Sequence, residues 1–216
     1  MIPLPLAALT TLAWLSLAGH LRAESRGPRW QIYLFKPVTT GLLLAVAFLA
    51  PGPAGTRYQT AVMAGLALSM LGDIWLMLPQ DRFVPGLFSF LLAHLAYLVG
   101  LTAGLPPLSS PALVLPPMVF ALILLRWIWP VPGKLALPVV VYTAVLVAMT
   151  WRALARATLL ETLGATLAAL GAGLFLSSDA ALAVRRFRGS FRFDQGVIMV
   201  TYVAAQTLIA WSTVYP

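Results

Sequence analysis

Residues 58–78 read YQTAVMAGLALSMLGDIWLML. The stretch carries a single charge, Asp73. At about 1.5 Å of rise per residue, a helix of this length crosses the roughly 30 Å hydrocarbon core of a bilayer. A run this apolar, with one carboxylate near its end, predicts a transmembrane helix that carries a buried acid. The same pattern recurs along the chain. Spans are expected at about 2–21, 33–50, 58–78, 84–104, 111–129, 134–151, 159–183 and 194–214. The breaks are PGPAG at 51–55, LPQDRF at 78–83, GLPPLSSP at 104–111 and WPVPGK at 129–134. Pro and Gly end helices at such points. The fifth segment contains Pro116 and Pro117 and is expected to be kinked.

Composition agrees. Of 216 residues, 61% are apolar and 9% charged, and mean hydropathy is +0.92. Soluble domains run at about 45–50% apolar and about 25% charged. Soluble, disordered and collagen-like chains are therefore excluded. An all-α polytopic membrane protein of about eight transmembrane helices remains, with residues 1–216 forming a single integral membrane domain. The N-terminal run has the apolarity of a signal peptide but is too long and lacks a basic leader, so it is read as the first span. The chain has no Cys, which excludes disulfides, thiolate nucleophiles and Cys metal sites.

The net charge of +8 comes from Lys and Arg placed between apolar runs. That placement fits topology and anionic lipid rather than nucleic acid. With eight spans, eleven basic residues fall on the side of the odd-numbered loops: Arg22, Arg26, Arg29, Lys36, Arg82, Arg126, Lys134, Arg185, Arg186, Arg188 and Arg192. Three fall opposite: Arg57, Arg152 and Arg156. The positive-inside rule puts the odd loops in the cytoplasm and both termini outside. His20, beside Arg22, is expected at the interface, and Glu161 at the start of the seventh span.

GLALSMLGD at 65–73 has an echo in GLFLSSD at 173–179. The two Asp are four spans apart, so their helices run in the same direction. Two parallel four-helix repeats would produce this pattern.

Asp73 and Asp179 are the sharpest features. Facing lipid would be costly for either, so both are expected to face the bundle interior or a wet cavity. Two carboxyl groups close together resist double ionisation, which leaves one able to act as an acid near neutral pH. The bland alternative is a pair of hydrogen-bonded helix contacts. Ser69 and Ser178 lie near the acids; His94 and Tyr97 share one face of the fourth span, and Tyr202 and Gln206 one face of the eighth. Lys36 opens the second span, where it could hold a substrate phosphate or pair with Asp73. Two His and no HExxH spacing give no metal-site pattern.

KPVTT at 36–40, SMLGDIWLMLP at 69–79, FVPGLFSFLLAHLAY at 83–97, ETLGA at 161–165, GLFLSSDAALA at 173–183 and TYVAAQTLIA at 201–210 occur in this order. In these motifs the chain resembles the YhhN/TMEM86 family of membrane proteins, whose characterised members include lysoplasmalogenases. The resemblance implies an eight-span hydrolase that cleaves the vinyl ether of a lysoplasmalogen to a fatty aldehyde and a glycerophospho-alcohol. It implies Asp73 and Asp179 as the catalytic acids. His94, Tyr97, Tyr202, Gln206, Ser69 and Ser178 would form a supporting polar pocket, and Lys36 would bind the head-group phosphate. Neither organic cofactor nor metal is needed; the partner is a membrane phospholipid or lysolipid, and the place is the bacterial inner membrane. A small lipid or solute transporter with intramembrane acids is the competing class.

Overall fold

The computed structural model describes residues 3–51 and 56–215. Residues 52–55 of the expected PGPAG break and Met1, Ile2 and Pro216 at the chain ends lie outside the described residues. Eight α-helices follow one another: α1 (Leu4–Arg26), α2 (Arg29–Phe48), α3 (Arg57–Met77), α4 (Phe83–Thr102), α5 (Leu115–Ile128), α6 (Gly133–Leu160), α7 (Leu163–Arg188) and α8 (Asp194–Trp211). No strand occurs among the described residues. Seven of the helices, α5 being counted with the 3₁₀ turn before it, are long and apolar enough to cross a membrane. The eighth, α8, has the length but carries Asp194, Gln195 and Gln206.

Three expectations need correction. The sixth span does not stop near residue 151; α6 continues to Leu160. Arg152 and Arg156 do not mark a loop there. Arg152 donates to the carbonyls of Pro106 and Pro107, both at 3.1 Å, and to Ser109 Oγ at 2.9 Å. Arg156 donates to Ala103 O at 2.9 Å and lies 4.6 Å over the Tyr58 ring. The two arginines fasten the α4–α5 connection onto α6, and both terminal nitrogens of the buried Arg152 guanidinium find acceptors there. Glu161 consequently ends α6 in a left-handed conformation, and Thr162 caps α7, its Oγ1 accepting from Ala165 N at 3.2 Å. Pro116 and Pro117 do not kink the fifth helix. They sit in its first turn, where no intrahelical N–H is required. His20, expected at the interface, is buried within the bundle on α1.

Trp211 Nε1 donates to Thr10 Oγ1 at 2.9 Å, so the start of α1 and the end of α8 share one end of the bundle. Gln195 Nε2 donates to Glu24 Oε1 at 3.1 Å at the other end, which carries the Arg-rich loops and is called here the basic end. Helices α2, α3 and α4 pack in sequence, and α6, α7 and α8 do the same. The halves cross over: α8 packs on α2, and α4 on α6. Small residues let α3 and α4 approach closely. A Cβ on Gly65 would fall 2.2 Å from the Tyr97 ring, and one on Gly72 2.6 Å from the Phe90 ring. Without a hydrophobic drive between helices in lipid, such close packing carries much of the association. Leu122, Ile123, Leu137 and Leu170 face outward.

Candidate active site

Asp73 lies one turn from the end of α3, with 2% of its surface exposed. Three helices supply its partners. Thr40 of α2 donates to Oδ2 at 2.8 Å, and Tyr202 of α8 donates to the same oxygen at 2.7 Å. The Lys36 ammonium, also on α2, is 3.5 Å from Oδ1 and nearly buried. A buried carboxylate survives in the membrane with such a cation and two hydroxyl donors. Lys36 thus stands beside Asp73, as its pairing reading expects, while also lining the cavity that both acids share.

Asp179 of α7 has a different shell. Tyr142 of α6 donates to Oδ2 at 2.5 Å, and His94 Nε2 of α4 is 3.7 Å from the same oxygen. Among the described residues no Lys or Arg pairs with this carboxyl, and Oδ1 has no hydrogen-bond partner. The Asp179 side chain is 12% exposed, against 3% for Asp73.

Both acids line one cavity of about 550 Å³ that opens at the basic end. Lys36 and Tyr202 also line it, and Arg82, Arg185 and Arg186 stand towards its mouth. Arg186 forms a two-bond pair with Asp81, at 2.8 and 3.1 Å, that ties the α3–α4 loop to the end of α7. This pair holds the Asp81 carboxyl below the usual carboxylate range. Arg185 bonds Gln195 and lies 3.3 Å from Asp194.

The remaining expected residues fall around this centre. Tyr97 donates to Gln206 Oε1 at 2.7 Å, a bond between α4 and α8 with both side chains buried. Ser178 donates to the Ile198 carbonyl at 2.9 Å, joining α7 to α8. Ser69 is fully buried on α3. Tyr97, Gln206 and Ser69 therefore sit behind the cavity wall and support it. The ring of Phe175 packs at the middle, 4.6 Å from His94 and 5.5 Å from Tyr202. Among the described residues no three His, Asp or Glu side chains gather as a metal centre requires.

Sequence reasoning missed Thr40, Phe175 and, above all, Tyr142. The signal for Tyr142 was present. Lys36 precedes Asp73 by 37 residues, and Tyr142 precedes Asp179 by the same 37. The helix before each acid thus presents a polar group to it, Lys36 in one half and Tyr142 in the other. The crossing helices complete the parallel, with Tyr202 of α8 on Asp73 and His94 of α4 beside Asp179.

The description of the YhhN family matches residues 31–213, which includes every one of these positions. The chain belongs to the YhhN family. It is 32% identical over 205 residues, 95% of its own length and 96% of the relative's, to "Uncharacterized membrane protein YhhN" of Escherichia coli O157:H7. It is 36% identical over 185 residues, 86% of its length and 76% of the relative's, to pig "Lysoplasmalogenase TMEM86B". To a "Lysoplasmalogenase" of Mycobacterium bovis it is 36% identical over 176 residues, 78% of its length and 65% of the relative's. No solved structure matches this YhhN-family chain. With its apolar helices, the family match makes it an integral membrane protein.

Proposed function

We propose that the protein hydrolyses the vinyl ether bond of a single-chain alkenyl glycerophospholipid, with Asp179 as the general acid and Asp73 as the carboxylate that stabilises the cation. The observation that carries this reading is the unequal pair: two acids on one cavity, one beside the Lys36 ammonium and the other beside Tyr142 and His94 with an unengaged oxygen. Unequal environments around two carboxyl groups are how one site divides acid from anion. The names of the related lysoplasmalogenases support the choice of substrate.

The chemistry starts with Asp179 Oδ1, which carries the proton. It protonates the alkenyl carbon β to the ether oxygen, and the double-bond electrons form the new C–H bond. The carbon attached to oxygen becomes an oxocarbenium ion, and Asp73, ionised beside Lys36, stabilises it electrostatically. Water adds to that carbon and returns a proton to Asp179, giving a hemiacetal. Asp179 then protonates the glycerol oxygen as the C–O bond breaks, and the hemiacetal hydroxyl returns its proton to Asp179 to leave the aldehyde. One water is consumed and the acid is regenerated. This parallels the division of labour between paired carboxylates in glycoside hydrolysis. Lys36 serves Asp73, and the mouth arginines Arg82, Arg185 and Arg186 serve the phosphate.

The test is aldehyde release from an alkenyl lysophospholipid by purified protein in detergent. Turnover above a protein-free control supports the hydrolase. Absence of aldehyde, with binding retained, supports a transporter, whose cycle needs sealed compartments. On the same reading the cavity opens to the cytoplasm of a bacterial inner membrane and both termini lie outside.

A further inference from the structure

Asp179 lies where two unlike spaces meet. One is the polar cavity that opens at the basic end. The other is an apolar cleft of about 50 Å³ walled by α4, α5, α6 and α7, with Leu76 of α3 at its edge. Five residues border both: Leu76, Phe83, Phe90, Leu182 and Asp179. Only Asp179 among them has a polar side chain. A molecule with a charged head and a hydrocarbon tail, lying across the junction, would place the joining atoms at that carboxyl.

The cleft has an opening of its own. Helix α5 packs on α6 and α7, yet none of its Cα atoms comes within 8 Å of one in α4. Packed helices sit about 8–10 Å apart axis to axis and bring backbone atoms closer than that. The gap between α4 and α5 therefore interrupts the wall. Leu87 of α4, Leu124 of α5 and Thr143 of α6 line the cleft and are half-exposed, whereas Leu146, Leu176 and Ile128 in it are buried. The half-exposed residues mark the side that meets lipid. About 50 Å³ holds only a few carbons, since a single water already needs about 10–15 Å³ of such space. A longer chain seated here has to leave through the gap.

We infer that the gap between α4 and α5 is a lateral portal for the hydrocarbon chain of the lipid substrate, with Leu87, Leu124 and Thr143 closing around the carbons beyond the double bond. The inference rests on the hydrolase reading above. The lipid keeps its head group in the polar cavity, threads its first carbons past Asp179 and leaves the rest of its chain in the bilayer. Two consequences follow for specificity. Chain length beyond the portal matters little, because the remaining carbons stay in lipid. A branch on the carbon beside the double bond is rejected, because the cleft admits one unbranched chain.

The chain has no Cys, so a pair of introduced thiols reports without background. The variant Leu87→Cys with Leu124→Cys is treated with bis-methanethiosulfonate reagents of graded length, and linkage is confirmed by mass. Two substrates are compared: a long-chain alkenyl lysophospholipid and its two-carbon ethenyl analogue, which fits without crossing the gap. Linkage should lower kcat/KM for the long chain by about tenfold or more, the scale of overpacking a filled space. It should leave the two-carbon analogue within about twofold, and dithiothreitol should restore the long-chain rate. Thr143→Trp, which narrows the same opening without chemistry, should show the same selectivity. Equal loss on both substrates, or full long-chain turnover by the linked protein, overturns the portal. If the unmodified protein releases aldehyde from neither substrate, the hydrolase reading fails and the portal falls with it.

Discussion

Replacing Tyr142 by Phe removes one hydroxyl and keeps the ring that packs 5.2 Å from His94. That hydroxyl donates to Asp179 Oδ2 at 2.5 Å. On the proposed mechanism the acceptor in the resting site is a neutral carboxylic acid. As the proton moves to carbon, the same oxygen gains negative charge and the bond becomes charge-assisted. Neutral hydrogen bonds contribute about 1 kcal/mol and those to charged groups about 1.5–3 kcal/mol. The difference, about 0.5–2 kcal/mol, is expressed only on approach to the transition state, so kcat should fall about 2- to 30-fold with KM nearly unchanged. The assay is aldehyde release at saturating and limiting substrate, normalised to protein recovered by size exclusion. An unchanged kcat, or a loss confined to KM, would refute the placement of Tyr142 on the acid.

Lys36→Met should lower kcat more than it raises KM and destabilise the fold by about 3–5 kcal/mol, because it strands the buried Asp73; adding Asp73→Asn should recover much of the stability in a thermal unfolding assay. Gly65→Ala drives a Cβ into the Tyr97 ring and should cost about 1–3 kcal/mol, whereas Gly173→Ala meets nothing within 4 Å and should be tolerated, both measured by the same assay. The pairing of Asp81 with Arg186 lowers the carboxyl's folded value, so its contribution should be complete above the usual carboxylate range and be lost as pH falls through the lowered value; the mobility of a spin label at Gln80 should increase only there, and should not change with pH in Asp81→Asn. Reporter fusions after Tyr215 and at Gly189 should report opposite sides of the membrane, with Gly189 cytoplasmic.

The eight helices were legible because lipid imposes a length and a composition on each crossing, and Pro and Gly punctuate them. The errors lie where a side chain did something its type seldom does. Arg152 reads as a loop residue, but it is buried and bound to carbonyls, so α6 outran its expected end. Pro116 and Pro117 read as a kink because the helix start was placed four residues early, at Pro111. In the site, Asp73 and Asp179 stood out because a carboxyl inside a span is costly. Tyr142 did not, because tyrosine is ordinary in a membrane helix and only its spacing to Asp179 distinguishes it. The absence of packing between α4 and α5 has no signature in either helix, since it depends on how α5 leans on α6 and α7.

The unequal roles of the two acids are tested most directly by aldehyde release from purified Asp179→Asn and Asp73→Asn, each checked for folding. Asn keeps the size and hydrogen bonding of either residue but cannot deliver a proton or carry the charge. Asp179→Asn should lose about 100- to 10,000-fold in kcat, the usual cost of removing a general acid, together with the solvent deuterium isotope effect of slow carbon protonation. Asp73→Asn should lose rate while keeping that isotope effect. The double variant should be about as slow as the poorer single one, because the two groups serve one transition state. Near-normal turnover by folded Asp179→Asn would contradict the account.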